Sequence, residues 1–177
     1  MFDESKHTRE PKGVPEGGQF VARANNEQDI INYVNMVLNG EEAPRKIIVG
    51  DIEDRERLAI EKLTGDKLNA VYHTLSENEV RHIEKRHGTN GKADTSMSEI
   101  ESYGKIIDVI RNFDAVELVE RDGKIQTASK YVNKYGEKAK LVAFKKSLTN
   151  TDMIVVEAIT DTKRGDILIM SARQIKK

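Results

Sequence analysis

The apolar residues of this chain change period once, and that change limits the folds open to it. Up to Asp114 they recur at three- and four-residue spacing, the period of a helix. From Ala115 onward they alternate, the period of a strand. A block of helices followed by strands on short turns predicts an α+β fold, with N-terminal helices packed on a four- to five-stranded antiparallel sheet. The strands are expected at residues 115–120 (AVELVE), 125–135, 141–148, 153–159 and 167–171. Arg121-Asp122-Gly123-Lys124 carries the Asp-Gly signature of a hairpin turn, and a second turn is expected over 162–165.

The helical block has its own punctuation. Asn26 caps a helix running to Leu38, with Ile30, Ile31, Val34, Val37 and Leu38 on its apolar face. Residues 46–50 (KIIVG) form a short apolar run, Asp51 and Asp54 open a second helix stopped by Gly65, and 68–73 (LNAVYH) read as extended. Residues 75–88, LSENEVRHIEKRHG, predict one short helix. Ser76 and Glu79 make a capping box, and Gly88 is expected to close the helix in the left-handed conformation. Val80, Ile83 and His87 share one stripe of it, and Glu79, His82 and Arg86 a neighbouring one. Ser96 with Glu99 repeats the capping pattern before a helix that runs to Asn112. Gly104 inside that helix costs about 1 kcal/mol against alanine, which signals close packing against another element.

A length of 177 residues suits one ordinary domain with an appendage. Residues 1–25 are expected to be a flexible leader, because 9–20 (REPKGVPEGGQF) hold two of the three prolines and little to bury. Residues 26–66 read as a helical N-terminal extension and 67–177 as the main domain. Without cysteine the chain has no disulfide and no thiolate metal site. No apolar run reaches the roughly 18 residues of a membrane span, and the N-terminus lacks a secretory core, so a cytoplasmic location is expected. A net charge of −1 hides an uneven distribution: −4 over 1–70, −2 over 71–114 and +5 over 115–177. A basic final third is what a polyanion-binding face needs, although lysines on exposed strands also block edge pairing.

Four histidines carry most of the chemical information, since imidazole moves protons near neutral pH. His7 lies in the leader and His73 just ahead of the short helix. His82 and His87 are candidates for general acid and general base. The plainer alternatives are an exposed surface residue for His82 and, for His87, a hydrogen-bonded polar end to the apolar stripe. The two are five residues apart, about 140° on a helix, so they cannot share one ion, and HIEKRH is not the HExxH of zinc proteases. No Walker, Rossmann or GxSxG pattern occurs, and no cofactor or metal is expected. Phosphate chemistry here would run on imidazole, guanidinium and ammonium groups.

The order of these features resembles phage-encoded nuclease domains of the barnase–EndoU–colicin–RelE (BECR) superfamily. The likeness runs from about Lys46 to the C-terminus. It is carried by an apolar run and a helix ending in LTG (63–65), an extended stretch ending in His73, HIxxRHG (82–88), a capped helix ending in NFD (112–114), and strands closing on a serine and a lysine tail. The resemblance implies that 67–177 form a nuclease domain whose site lies on the open sheet face. It implies RNA cleavage without metal: a base takes the 2′-OH proton, the oxygen attacks the adjacent phosphate, and an acid protonates the 5′-oxygen. Carried over by position, His82, Arg86 and His87 come from the helix and Ser171 from the last strand. The family's aromatic after that hydroxyl is replaced by Ala172 and Arg173. Lys130, Lys145 and Arg173 are candidate phosphate contacts by charge and position. The leader, residues 3–20, looks like the HPRDxxGxF segment of phage head-associated proteins, with Thr8 where proline is usual.

Together these imply a metal-independent endoribonuclease, a phage-borne toxin or effector packaged in a head and delivered to the host cytoplasm. Its expected partners are an RNA substrate, an immunity protein and a phage head, with no membrane. Two other classes fit the same scaffold: a non-catalytic RNA- or protein-binding module, and a structural head component. The enzyme reading requires the imidazoles of one short helix to face a cationic sheet surface.

Overall fold

In the computed structural model, residues 7–9, 20–133 and 135–177 are described. Most of the expected leader over 1–25, with its phage-head motif, lies outside the described residues. In chain order the elements are β1 (His7–Arg9), β2 (Phe20–Arg23), α1 (Glu27–Leu38), β3 (Lys46–Asp51), α2 (Asp54–Thr64), β4 (Tyr72–Ser76), α3 (Glu77–His87) and α4 (Ile100–Asn112). Then come β5 (Ala115–Leu118), β6 (Glu120–Arg121), β7 (Lys124–Ile125), β8 (Thr127–Val132), β9 (Lys138–Ser147), β10 (Asp152–Ile159) and β11 (Asp166–Lys176).

The α+β class holds, but the sheet is larger than expected and mixed. Nine strands join it among the described residues, in the order β1-β2-β3-β4-β11-β10-β9-β5 with β8 paired to β9. The β2–β3 and β4–β11 pairs are parallel. The difference arises because the apolar run at 46–50 and the segment before α3 pair with each other and with the C-terminal strand. Asp166 to Leu168 lie against Tyr72 to Thr74. Such pairings join segments far apart in the chain, and local periodicity carries no record of them.

Four helices among the described residues pack on one sheet face; α1 buries Ile30, Val34 and Val37 of its expected stripe but leaves Leu38 exposed, and α2 buries Glu56 and Ile60 while Leu58 faces solvent. Ile30, Val34, Ile60, Val80, Ile83, Ile106 and Ile110 from the helices meet Val142, Phe144, Ile154, Val156, Ala158, Ile167, Ile169 and Ala172 from the sheet in one buried core. Gly104 lets α1 and α4 approach: a Cβ there would stand 3.1 Å from Glu27 Cβ and Ile31 Cδ1. Overpacking costs about 1–3 kcal/mol, against a helix-propensity gain of about 1 kcal/mol. Gly104→Ala is therefore expected to lower the denaturant midpoint, by up to about 2 kcal/mol in stability.

Among the described residues, no helix lies on the opposite sheet face. Val119, Ala143 and Val155 form one small apolar patch there, and β8 crosses another part, covering Ile159 and Leu168. A bulge decides what else this face presents. Glu157 pairs with Ser171 but Ala158 pairs with Ile169, so Met170 is an extra residue that inverts the pleat of β11. Ser171 and Arg173 thereby turn to the open face with Glu157 and Val155, while Ala172 joins the core.

Three local expectations are corrected. Gly88 ends α3 at φ −82° and ψ −159°, extended rather than left-handed. Glycine is needed there because a Cβ would run into the carboxyl and carbonyl of Glu84. Ser96 does not cap α4, which starts at Ile100; its Oγ accepts from the Gln174 N–H of β11 at 3.0 Å instead. Asp51 belongs to β3, paired with Arg23 at 3.0 Å, and Glu53 occupies the N-cap of α2. The Asp122-Gly123 hairpin turn forms as expected, both residues having positive φ, and it joins β6 to β7.

His73 is wholly buried and holds α2 to the sheet. Its Nδ1 donates to the Gly50 carbonyl at 3.0 Å, because a carbonyl can only accept. Its Nε2 is hydrogen-bonded to Glu56 Oε2 at 2.5 Å.

Candidate functional site

Helix α3 is amphipathic, and its two stripes lead to different environments. Ser76 Oγ accepts the Glu79 N–H at 3.3 Å, which fixes the helix start. Val80, Ile83 and His87 enter the core. The His87 residue is 7% exposed, and its Nδ1 sits 2.9 Å from Asp94 Oδ2. Partial burial works against the Asp94 charge, yet hydrogen bonds from Ser96 and His87 hold its carboxyl below the usual range. The His87 carbonyl also accepts the Met97 N–H at 2.8 Å. His87 thus anchors the loop between α3 and α4.

The second stripe is Glu79, His82 and Arg86. His82 and Arg86 are exposed. Partial desolvation, then the positive charges of Arg86, His87 and Lys85, push the His82 imidazole below its ordinary value. Glu79 is 7% exposed. Burial raises its carboxyl to about 6 against the opposing pull of Lys130. Burial, and then the charge of Glu79, raises the Tyr131 hydroxyl, so the Glu79 end of this stripe lies beside β8. A carboxyl moved up and an imidazole moved down, one helical turn apart, are a matched pair for proton transfer.

On the open face, Glu157 is 6% exposed and lies between two guanidinium groups. Arg173 Nη1 donates to it at 3.0 Å, and Arg121 Nη2 lies 3.6 Å away. Ser171 is half-buried directly across from Glu157. Lys145 and Arg173 flank Val155 in the neighbouring cross-strand row, and Lys145 Nζ pairs with Glu117 at 2.6 Å. Guanidinium forks in this setting suit a phosphate diester.

The expected residues therefore divide into groups. Ser171, Arg173 and Lys145 share the open face. His82 and Arg86 stand on α3, which packs against β11. No hydrogen bond joins His82 to Ser171. Lys130 is exposed on β8, next to Glu79. His87 fails the requirement that both imidazoles face the sheet surface, because five residues of helix turn it away from His82 and into the core. His82 is left as the one exposed imidazole of α3. Sequence reasoning passed over Glu79, which was assigned to a cap, and Glu157 with Arg121. A signal for Glu157 was present: it is a charged residue inside the apolar alternation of β10.

Among the described residues, no group of three His, Asp or Glu side chains is placed to hold a metal ion. No helix among them is long and apolar enough to cross a membrane. No curated protein and no solved structure matches the chain significantly. A family model does: that of the phage-Barnase-EndoU-ColicinE5/D-RelE like nuclease3 family, over residues 48–177. The match takes in β4, α3 and every strand of the open face. With well over half of its length matched, the chain belongs to this phage-type BECR-like nuclease family.

Proposed function

We propose that the chain is a metal-independent endoribonuclease, a phage-borne toxin that cleaves cellular RNA and is countered by an immunity protein. Membership of the nuclease family supplies the reaction class. The observation that carries the finer reading is the α3 stripe, where Glu79, beside Lys130 and Tyr131 of β8, and His82 sit one turn apart. Side chains three apart on a helix have Cβ atoms about 5–6 Å from each other, a spacing that lets the two groups flank one phosphate.

In this mechanism neutral His82 takes the proton from a ribose 2′-OH. The 2′-oxygen attacks phosphorus, the bond to the 5′-oxygen breaks, and the Glu79 carboxyl gives its proton to that leaving oxygen. The products are a 2′,3′-cyclic phosphate and a 5′-hydroxyl. Arg86, Arg173 and the Ser171 hydroxyl contact the phosphorane oxygens, where charge builds up. Glu157 holds Arg173 in place, and Lys145 adds positive charge beside it. His87 acts through the loop that it anchors, without touching substrate.

The pH profile of cleavage tests the assignment. Rate should rise with pH as His82 loses its proton, at a value below the 6.5 of an ordinary histidine, and fall as Glu79 loses its proton at about 6. The optimum therefore lies on the acidic side of neutrality, with its alkaline limb set by Glu79 at about 6. Glu79→Gln should lower the rate by about 10²-fold or more and abolish the alkaline fall. A profile that keeps its alkaline limb in Glu79→Gln would remove this carboxyl from the chemistry.

A further inference from the structure

A cavity of about 380 Å³ opens at the N-terminal end of α3, between that helix start, β8 and the turn ahead of β11. We infer that this cavity is a nucleotide subsite, which binds the RNA nucleotide next to the scissile phosphate through cations around its rim and the ring of Tyr131. The inference rests on the ribonuclease reading for its substrate and adds where the strand runs.

Five cationic side chains line the cavity: Arg45, Lys46, Lys130, Lys163 and Arg164. Two acidic residues also line it, Glu77 and Asp166. Asp166 is buried and accepts from Thr74 Oγ1 at 2.6 Å and from Thr162 Oγ1. Glu77 lies 3.8 Å from Arg81 on its own helix. With five cationic and two acidic groups in its lining the cavity carries an excess of positive charge, although the chain as a whole carries −1. Its chemistry selects an anion, and phosphate is the anion that a nuclease acts on.

Tyr131 narrows the ligand further. It is half-buried in the cavity wall, packed with Leu168 and Met170 against the sheet. A supported aromatic ring beside several cations is the arrangement that takes one stacked base and its phosphate. The volume falls in the range of about 300–1,000 Å³ usual for small-ligand pockets, enough for one nucleotide. Position completes the case. Asn78 lines the cavity, and His82 is four residues further along the same helix, about 6 Å of rise. A strand with one phosphate at His82 can thus set its neighbouring nucleotide in the cavity, where Lys130, which also acts on Glu79, forms part of the wall.

The test is binding of 2′-O-methyl oligoribonucleotides, which cannot be cleaved, followed by fluorescence anisotropy in EDTA. Wild-type affinity should rise from a dinucleotide to a hexanucleotide. The pair Lys163→Ala/Arg164→Ala should cut hexanucleotide affinity about tenfold at low salt. It should also flatten the plot of log affinity against log salt by about 0.7 for every phosphate that is no longer neutralised. Tyr131→Leu, which keeps the apolar packing, should weaken the hexanucleotide about fivefold or more, and Tyr131→Phe should not. Unchanged affinity and salt slope in the double variant would overturn the subsite, as would equal losses for Tyr131→Leu and Tyr131→Phe. Loss of binding to an acidic peptide without any change for RNA would overturn it in favour of a protein partner. Failure of the enzyme reading is read separately, from whether wild-type protein cleaves unmodified RNA at all.

Discussion

His82→Ala is expected to lower RNA cleavage by about 10²-fold or more, the loss typical of a removed general base, with the unfolding midpoint almost unchanged. The ring is exposed, and alanine is the better helix former, so stability should stay within about 0.5 kcal/mol. His87→Ala should behave in the opposite way. It removes a buried ring from the core stripe and frees Asp94 from its partner, so stability should fall by about 1–3 kcal/mol. Any activity loss there should be repaired by lower temperature, which restores the folded loop. Measuring kcat and Tm for both variants separates the roles. Full activity in His82→Ala would take this imidazole out of the reaction.

The second large effect concerns folding. His73 and Glu56 are both buried and hydrogen-bonded at 2.5 Å, with the far side of the ring tied to Gly50. Replacing Glu56 with leucine leaves the imidazole with no partner at Nε2, and breaking a buried pair in this way costs about 3–5 kcal/mol. In a chain of this size that shifts Tm by roughly 10 °C. Glu56→Gln should cost much less, since the amide can donate to Nε2 while Nδ1 still donates to Gly50. The double replacement His73→Phe/Glu56→Leu should recover much of the loss, because apolar groups of similar size can substitute for a buried pair. Equal destabilisation by Glu56→Gln and Glu56→Leu would show that side-chain packing, not the hydrogen bond to His73, holds α2 in place.

The parts of the fold that were legible in the sequence are those set by local periodicity and turn chemistry. Val80, Ile83 and His87 occupy the stripe their spacing assigns, Asp122-Gly123 makes its turn, and Gly104 marks the close approach of α1. What stayed hidden depends on partners distant in the chain. The parallel β4–β11 pair, the Ser96 hydroxyl spent on Gln174 and the bulge at Met170 are all of this kind. The site was half legible for the same reason. A helical wheel puts Glu79, His82 and Arg86 on one stripe, but only the neighbours of Glu79 reveal that its carboxyl is buried beside Lys130. Strand alternation alone would have sent Ser171 to the core, and one extra residue ahead of it turns it outward beside Glu157.

The most direct test of the central claim is the chemistry of the ends left on a defined RNA cut by the purified chain in EDTA. Metal-independent transesterification predicts a 2′,3′-cyclic phosphate on one fragment and a 5′-hydroxyl on the other, at an undiminished rate. No cleavage until a divalent ion is added, with 5′-phosphate ends when it is, would contradict it.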